Sequence, residues 1–218
     1  MNTLYGVWDK VDDIDFGKLP QSFVLKTNHG CGDVILVEDK NKMDIKTVKR
    51  TLAKSLKRKY GYGTAELHYT KIPPRIIAEH YLKQDGGLSS SLIDYKFYCF
   101  NGEPRCAMVV YDRVIGGSAM KYIYELYPWH KNAQASDIKH QKMHSREIPA
   151  PTNLDKMLDI CRKLSEGFPL VRVDLYEVNG KIFFGELTFT SEAGFITYLS
   201  KEYREELGRH LHLPVDPD

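Results

Sequence analysis

One predicted hairpin carries an arginine and a carboxylate on its first strand and a carboxylate and a threonine on its second, with two-residue spacing within each pair. Two β-rich runs between residues 171 and 188 are joined at an Asn-Gly dipeptide, which is typical of a tight turn between antiparallel strands. Arg172 and Asp174 lie on the first run, and Glu186 and Thr188 lie on the second. Because residues two apart on a strand project from the same face, these side chains should lie together on one face of the hairpin.

This combination of side chains suits a site for Mg²⁺ and phosphate. Mg²⁺ prefers hard oxygen ligands and is usually held by one or two carboxylates together with substrate phosphates. A guanidinium beside them can bind a phosphate group through two parallel hydrogen bonds. The same pattern also fits an ordinary solvated sheet face with an arginine–carboxylate pair. A second element is needed to favour the phosphate interpretation.

That second element lies between residues 23 and 37. A hydrophobic run ends at Lys26, passes through a polar loop that contains Gly30 and Gly32, and resumes as another hydrophobic run. The lysine precedes the glycines, which excludes a Walker loop, and the loop leads into a strand, which excludes a dinucleotide fingerprint. Glycines let backbone N–H groups approach a phosphate closely, and the lysine adds a charge. The alternative is a plain hairpin turn with a surface lysine.

Composition indicates a compact enzyme that is not a nucleic-acid binder. The chain has 218 residues, with 31 Lys and Arg against 29 Asp and Glu, so it has no large positive charge for binding nucleic acid. No apolar run has membrane-spanning length, and the N-terminus has no signal-peptide core. The four cysteines show no CxxC or metal-ligand spacing. Reduced thiols and a cytoplasmic location are the simplest interpretation.

The remaining segments predict mixed helices and strands. Helices are expected over 44–60, with Asp44 as the N-cap, over 153–166 with an apolar stripe, and over 201–210. The first of these helices is strongly basic, which describes either a solvated face or a patch for an anionic glycan or membrane lipid. Strands are expected at 75–82, 94–100 and 105–112, the last two joined at another Asn-Gly turn.

Residues 116–150 show no clear periodicity and are expected to form a substrate-side loop. They contain His130, His140 and His144, but the spacing fits no familiar tetrahedral metal site. A binding loop of this kind is a common way for a rigid scaffold to present function. We therefore predict no metal centre in this segment.

Several motifs in fixed order resemble the ATP-grasp fold, and within it the TupA-like branch associated with bacterial surface-polysaccharide and teichuronopeptide synthesis. The resemblance extends over residues 19–214. It is carried by Phe-Val-Leu-Lys-Thr-Asn-His-Gly at 23–30, Pro-Arg-Ile-Ile-Ala-Glu-His-Tyr-Leu at 74–82, Asp-Tyr-Lys-Phe-Tyr-Cys-Phe-Asn-Gly-Glu at 94–103, Asp112-Arg113, the hairpin at 171–188 and Leu207-Gly208.

The resemblance implies an α+β fold of two lobes, each an antiparallel sheet flanked by helices. Residues 1–18 are then a lead-in, 19–82 the small lobe with the glycine-rich loop, and 83–214 the large lobe with the metal and phosphate site. Most of the N-terminal region that usually precedes this fold is expected to be missing. A natural short version, a fragment, or a partner chain that supplies the missing region are the three explanations left open.

The resemblance also implies roles for individual residues. Lys26 and Arg172 are expected to be catalytic through contacts with ATP phosphates. Asp174 and Glu186 match the Mg²⁺-binding acids, and Thr188 stands where an asparagine metal ligand is common. The remaining expected nucleotide contacts are Asn28, His29, Gly30 and Gly32 in the mobile loop, Glu79, His80, Tyr81 and Leu82 at the hinge beside the adenine, and Asp94 and Lys96 near the ribose or phosphates.

The implied function is an ATP- and Mg²⁺-dependent carboxylate–amine ligase that works through an acylphosphate. ATP is expected between the two lobes. The expected substrate is a uronic-acid-containing glycan or an amino acid used in capsule, O-antigen or teichuronopeptide assembly, with peripheral contact to a membrane or polysaccharide assembly as a further expectation. The alternatives are a sugar phosphotransferase, a polysaccharide glycosyltransferase, and a nucleotide-binding protein with impaired catalysis.

Overall fold

The chain forms two compact units, Met1–Leu82 and Lys83–Asp218. The structure is a computed structural model that describes residues 2–62, 66–84, 87–114, 116–135, 146–194 and 196–213. Each unit contains one antiparallel sheet with helices packed against it, which confirms the predicted α+β class. No helix in these described ranges is both long enough and apolar enough to cross a membrane.

The small unit is built on a four-stranded sheet. Its strands run antiparallel in the spatial order β1–β4–β2–β3. The hairpin predicted around the glycine loop is confirmed, since β2 pairs directly with β3. The elements are β1 (Leu4–Trp8), β2 (Phe23–Thr27), β3 (Val34–Val37), α1 (Ile45–Leu56) and β4 (Ile76–His80).

Helix α1 covers one face of this sheet because its apolar residues recur at helical spacing. Val48 and Leu52 are four residues apart and pack with Phe23 and Leu25 of β2 in one core cluster. The predicted cap is confirmed, because the Asp44 carboxylate accepts hydrogen bonds from two backbone N–H groups of the first turn, at 3.0 and 3.2 Å. The opposite face of β2 is left to Lys26, which therefore points away from the core.

Within residues 1–18, expected to be a lead-in, the described residues are an integral part of the small unit. Strand β1 pairs with β4 along the edge of the sheet. Ile14 and Phe16 are buried in the same core as α1, held in a segment with short 3₁₀ turns. They lie in or beside short 3₁₀ turns rather than in a long periodic element, so the apolar pattern was too short to reveal their burial.

The large unit is built on a six-stranded antiparallel sheet. The spatial order is β10–β9–β5–β6–β7–β8. The hairpins predicted at Asn101-Gly102 and Asn179-Gly180 are confirmed by the pairing of β5 with β6 and of β9 with β10. The elements are β5 (Asp94–Phe100), β6 (Glu103–Tyr111), β7 (Met120–Leu126), β8 (Trp129–Lys131), α2 (Leu154–Ser165), β9 (Leu170–Val178), β10 (Lys181–Thr188) and α3 (Lys201–Gly208).

Apolar clusters cover both faces of this sheet. Met157, Leu158 and Cys161 of α2 pack on one face, as the predicted stripe requires. Tyr203 and Leu207 of α3 pack on the other face. A sheet that is covered on both sides does not show the simple alternation of apolar and polar residues expected of a half-exposed sheet.

Two strands lie in the segment 116–150 that was expected to be a loop, so that expectation was wrong. Strand β7 is buried on both faces, with Tyr124 in the cluster under α2 and Ile123 in the cluster under α3. Burial on both faces removes the period-2 pattern that would have identified it. His130 lies on β8 and is exposed, whereas His140 and His144 lie outside the described residues.

Candidate functional site

The predicted constellation on the β9–β10 hairpin is present, and a bulge sets its register. Glu186 lies directly opposite Asp174, and Thr188 lies opposite Arg172. The register shifts between Phe184 and Glu186. A side chain on the intervening Gly185 would meet the Tyr176 ring at 2.9 Å and the Asp174 carbonyl at 3.0 Å, so glycine is required there.

The charged face continues onto β5, the neighbouring strand. Lys96 lies opposite Asp174, and its ammonium group contacts the Asp174 carboxylate. The same ammonium lies 2.8 Å from Asp94 Oδ2, which also accepts from Arg113 Nη2 at 3.1 Å. We call this line of alternating charges the charge row. In spatial order it consists of Arg113, Asp94, Lys96, Asp174, Arg172 and Glu186.

Arg172 makes the largest number of contacts in the charge row. Its Nε and Nη2 atoms donate to the two oxygens of Asp174 at 2.7 and 2.9 Å, a bidentate geometry. Nη2 also contacts Glu186 Oε1 at 3.2 Å and Thr188 Oγ1 at 2.9 Å. Nη1 donates to Ser191 Oγ at 3.3 Å. One guanidinium thus joins both predicted metal acids and the predicted hydroxyl ligand.

The middle of the charge row is buried and its two ends are exposed. The side chain of Asp174 is 1% exposed, and those of Lys96 and Arg172 are 12% and 11% exposed. Glu186 is 50% exposed and Arg113 is 47% exposed. The two-residue spacing on the hairpin does not show how deeply Asp174 is buried. Its neighbours on three strands enclose it.

Burial and neighbouring charges shift the carboxyl groups in different directions. Burial alone would raise the pKa of Asp174, but Lys96 and Arg172 hold it below its usual value. The pKa of Glu186 is raised, first by the partial burial of its carboxyl group and then by repulsion from Asp174. Burial also raises the pKa of Asp94, whose Oδ1 atom is buried without a hydrogen-bond partner in the described part of the chain. Negative charge at Glu186 and Asp94 is therefore only partly compensated.

The protein atoms alone do not form a complete metal site. Among the described residues, no group of three or more His, Cys, Asp or Glu side chains is arranged to hold a metal ion. Thr188 Oγ1 donates to Glu186 Oε1 at 3.3 Å and lies beside Arg172. A cation at Asp174 and Glu186 would need further oxygen ligands from water or a bound anion, as is usual for Mg²⁺.

In the small unit, Lys26 forms an ion pair with Glu79. Its Nζ atom lies 2.5 Å from Glu79 Oε1, and the two side chains are 33% and 21% exposed. The pair spans β2 and β4 on the sheet face opposite α1. Both residues were predicted to contact the nucleotide, and the structure brings them together.

The glycine loop is fixed to the small unit by its own residues. Asn28 exchanges two hydrogen bonds with Arg75, through its backbone N–H to the Arg75 carbonyl at 3.0 Å and through its side-chain oxygen from the Arg75 N–H at 2.7 Å. The His29 side chain is 4% exposed and points into the unit. Gly32 adopts φ +84°, which favours glycine, and open space surrounds it. The loop backbone is accessible, whereas the His29 ring is not.

Some backbone groups of the predicted hinge already form hydrogen bonds within the small unit. The His80 N–H donates to the Thr3 carbonyl, and the His80 carbonyl accepts from the Asn2 side chain, both at 2.8 Å. The Tyr81 hydroxyl donates to Glu38 at 3.1 Å. The backbone polar groups of Tyr81 and Leu82 form no hydrogen bond with other described residues. They are the hinge groups still available to a ligand.

Sequence reasoning assigned no role to two members of the site. The sequence motifs include Arg113 without a role, and they do not include Ser191. Arg113 follows the end of β6, and its backbone N–H donates to Ser91 Oγ at 2.9 Å. The residue before it, Asp112, has φ +48°, a conformation that is strained for a side chain other than glycine. An Asp-Arg pair at the end of a buried strand was the available signal.

Several solved ligase structures are similar to this chain. The D-alanine–D-alanine ligase from Bacillus anthracis complexed with ATP is 16% identical, with a TM-score of 0.49 over 95% of this chain and 54% of that one. The corresponding enzyme from Helicobacter pylori is 13% identical, with a TM-score of 0.47 over 97% and 57%. The ATP-grasp ligase PsnB, complexed with a phosphomimetic precursor variant, Mg and ADP, is 12% identical, with a TM-score of 0.48 over 96% and 53%. The chain spans about half the length of these proteins.

The family comparison covers nearly the whole chain. No curated protein matches this chain. The sequence profile described as TupA-like ATPgrasp matches residues 2–212. This confirms the family predicted from the ordered motifs, and it includes the segment expected to be a lead-in. The chain belongs to the TupA-like ATP-grasp family.

Proposed function

We propose that this protein is an ATP- and Mg²⁺-dependent ligase that joins a carboxylate to an amine. The observation that carries the proposal is the charge row, in which Arg172 binds both Asp174 and Glu186 within a chain of the ATP-grasp family. Such a cluster provides a cation for phosphate and two acids for a metal ion. Apart from Arg113, its members lie on three neighbouring strands of the large sheet, which makes their positions rigid.

The acids fit Mg²⁺ by their chemistry. Glu186 lies opposite Asp174, and the repulsion between them contributes to the raised pKa of Glu186. A divalent cation held by both carboxylates would remove that repulsion, and phosphate and water oxygens would complete its shell. When bound, Mg²⁺ supplies neutralisation of phosphate charge. We assign Asp174 and Glu186 as its ligands, with Thr188 as an additional oxygen beside them.

Cationic groups in both units are assigned to the phosphates. Arg172 and Lys96 in the large unit, and Lys26 in the small unit, are assigned to phosphate oxygens. Each of these cations is now held by a carboxylate, so binding requires exchange of one anionic partner for another. The glycine loop offers backbone N–H groups, and the free polar groups of Tyr81 and Leu82 are assigned to the adenine edge.

The proposed reaction proceeds in two steps. A carboxylate oxygen of the substrate attacks the γ-phosphorus of ATP, forming an acylphosphate and releasing ADP. The amine nitrogen then attacks the acyl carbon, the C–O bond to phosphate breaks, the nitrogen loses a proton to the departing phosphate, and an amide and inorganic phosphate are released. Arg172 and Lys96 act by positioning and by stabilising phosphoryl charge rather than by covalent chemistry.

The proposed substrate is an acidic glycan or amino acid of a surface polysaccharide. Lys46, Arg50 and Lys54 recur along the exposed face of α1 and Lys57 follows its end, within a 16-residue segment, 45–60, that has seven cations and no acid. This face suits a polyanion by charge complementarity. We favour a glycan over a lipid surface because Val48 and Leu52 of α1 are buried in the core, which leaves Ile45 as the one exposed large apolar side chain of this helix. A cytoplasmic location is proposed because all four cysteines are free thiols.

Thermal melts and product analysis test the proposal. Mg²⁺-ATP should raise the melting temperature, because a ligand that binds only the folded state stabilises it. The shift should require both nucleotide and metal. Incubation with ATP, uronic acids and amines, followed by mass detection, should yield an amide together with phosphate. A stable phosphorylated sugar would indicate a phosphotransferase, and the absence of any melting shift at millimolar Mg²⁺-ATP would contradict a nucleotide site.

A further inference from the structure

The glycine loop of the small unit is docked on the segment that follows α1, and one residue holds both sides of it. The Arg58 carbonyl lies 3.1 Å from His29 Nε2. The Arg58 guanidinium donates through Nη1 to both carboxylate oxygens of Asp33, at 2.9 and 2.8 Å. Residues 30–32, with both glycines, lie between these two attachments. We call this pair of attachments the Arg58 clamp.

The His29 side chain serves as an anchor in this arrangement. A carbonyl oxygen only accepts hydrogen bonds, so Nε2 carries the proton and donates to Arg58. The residue is 4% exposed, and its Nδ1 atom is buried with no partner within the part of the chain that the structure describes. A ring enclosed in this way is not available to a ligand in solvent. Its contribution to the loop is packing and the bond to Arg58.

Tyr60 supports the middle of the loop between the two attachments. Its hydroxyl lies 2.9 Å from Cys31 Sγ. A side chain added at Gly30 would lie 3.3 Å from the Tyr60 ring, so the loop backbone is already close to the ring. Burial, followed by the hydrogen bond with Cys31, raises the pKa of Tyr60. The loop therefore rests on a fixed aromatic surface.

Of the three consecutive cations at 57–59, Arg58 is the one whose side chain contacts the glycine loop. Its neighbours Lys57 and Lys59 are exposed cations, and within the described ranges neither forms an ion pair. Arg58 is itself 52% exposed, but its hydrogen bonds to Asp33 raise its pKa above the usual value. Both contacts come from the single atom Nη1, so the attachment is a charge-assisted hydrogen bond shared between the two carboxylate oxygens of Asp33.

We propose that Arg58 is a positioning residue that holds residues 28–33 in their phosphate-binding conformation before nucleotide arrives. The inference rests on the proposed function. It adds Arg58, which lies far from the charge row in the sequence, to the residues that support nucleotide binding. Ordering the loop in advance removes an entropic cost that binding would otherwise carry. The sequence predicted a mobile loop that closes over ATP, whereas the Arg58 clamp favours a loop that is already ordered.

Amide hydrogen exchange of the free protein tests the clamp itself. In the Arg58→Ala variant, the amides of residues 30–33 should exchange about tenfold faster than in the unmodified chain, because a local contact that limits opening is lost. Arg58→Lys should give an intermediate rate. Lys59→Ala is the matched control, since it removes a neighbouring cation without touching the loop. Unchanged exchange in Arg58→Ala would overturn the clamp.

Nucleotide binding tests whether the clamp matters for function. The Kd for Mg²⁺-ADP should rise about three- to tenfold in Arg58→Ala and in Asp33→Asn, and the KM for ATP should rise by a larger factor than kcat falls. The Asp33→Asn variant removes the same ion pair from the loop side, so the test remains valid if Arg58→Ala folds poorly. Changing both residues together should be no worse than changing one.

The buried anchor gives a rescue experiment. His29→Leu should loosen the loop and weaken Mg²⁺-ADP binding, whereas His29→Gln should restore much of both, because its amide nitrogen can donate to the Arg58 carbonyl. Equal binding by all variants, despite faster loop exchange, would overturn the positioning role. If the unmodified protein does not bind Mg²⁺-ADP, the proposed function fails, while hydrogen exchange still decides the clamp.

Discussion

The two regions assigned to phosphate binding differ in how their charges are held. In the large unit, Asp174 is 1% exposed and contacts two cations, and each cation contacts further acids or hydroxyls. In the small unit, Lys26 has one carboxylate partner, and both side chains are partly exposed. Buried charges that share partners are costly to separate, whereas a partly exposed pair is screened by water.

This difference implies two distinct kinds of binding residue. The buried residues in the middle of the charge row stabilise the fold as well as forming the site. Removing one of them leaves the charge of its partner uncompensated inside the sheet. Lys26 and the exposed end of the row at Glu186 can exchange partners with less cost. We expect substitutions in the first group to affect stability and binding together, and those in the second group to affect binding alone.

The largest expected effect is at Arg172. Arg172→Ala should lower the free energy of unfolding by about 3–5 kcal/mol, because buried Asp174 would retain only Lys96 as a partner. Urea denaturation measures this change. Arg162→Ala is the matched control, since Arg162 and its partner Glu103 are 40% and 52% exposed, and it should cost at most about 1 kcal/mol. Similar losses in the two variants would contradict the contrast between buried and exposed pairs.

The next effect separates binding from stability within the charge row. Glu186→Gln should leave the melting temperature of the free protein nearly unchanged, because the side chain is 50% exposed, and should abolish most of the shift produced by Mg²⁺-ADP. Asp174→Asn should reduce both. Glu103→Gln, which changes a glutamate of similar exposure elsewhere on the same unit, should retain the full shift. A full shift in Glu186→Gln would place the metal ligands elsewhere.

The sequence predicted the elements that have clear local signals. The hairpin at Asn179-Gly180, the cap at Asp44 and the apolar stripe of α2 follow short-range rules, and all three are present. Strand β7 was missed because burial on both faces removes the alternation that identifies a strand. Strand β1 was missed because an edge strand needs a partner, β4, that lies about 70 residues away in the sequence.

The sequence predicted which residues form the hairpin part of the candidate site, but not how deeply they are buried. Two-residue spacing placed Arg172, Asp174, Glu186 and Thr188 on one face, and the structure agrees. Spacing alone could not show that β5 would lie beside β9 and bring Lys96 and Asp94 into the same row. The burial of Asp174 follows from that long-range pairing. The role of each residue remains a prediction that the experiments above address.

A smaller effect is expected in the small unit. Lys26→Ala should weaken Mg²⁺-ATP binding about ten- to a hundredfold through loss of a charge-assisted contact worth roughly 1.5–3 kcal/mol. Its effect on the free protein should stay within about 1 kcal/mol, since the pair with Glu79 is partly exposed. Isothermal titration measures the affinity, with Lys42→Ala, at an 85% exposed lysine, as the control. Unchanged affinity would support the alternative interpretation, in which residues 23–37 form a plain hairpin turn with a surface lysine.

The smallest expected effect concerns an exposed charge of the small unit and its dependence on pH. Hydrogen bonds from the Thr47 hydroxyl, then from backbone N–H groups, hold the pKa of Asp44 below its usual value of 3.8. Because the folded-state pKa lies below the unfolded one, the charged cap stabilises the fold above about pH 4. That contribution is lost as the pH falls through the folded-state value.

Asp44→Asn keeps an oxygen acceptor for the helix but removes the charge. Its melting temperature should be below that of the unmodified protein at pH 7, and the difference should shrink below pH 4. A difference that stays constant across this range would show that the charge of Asp44 does not stabilise α1.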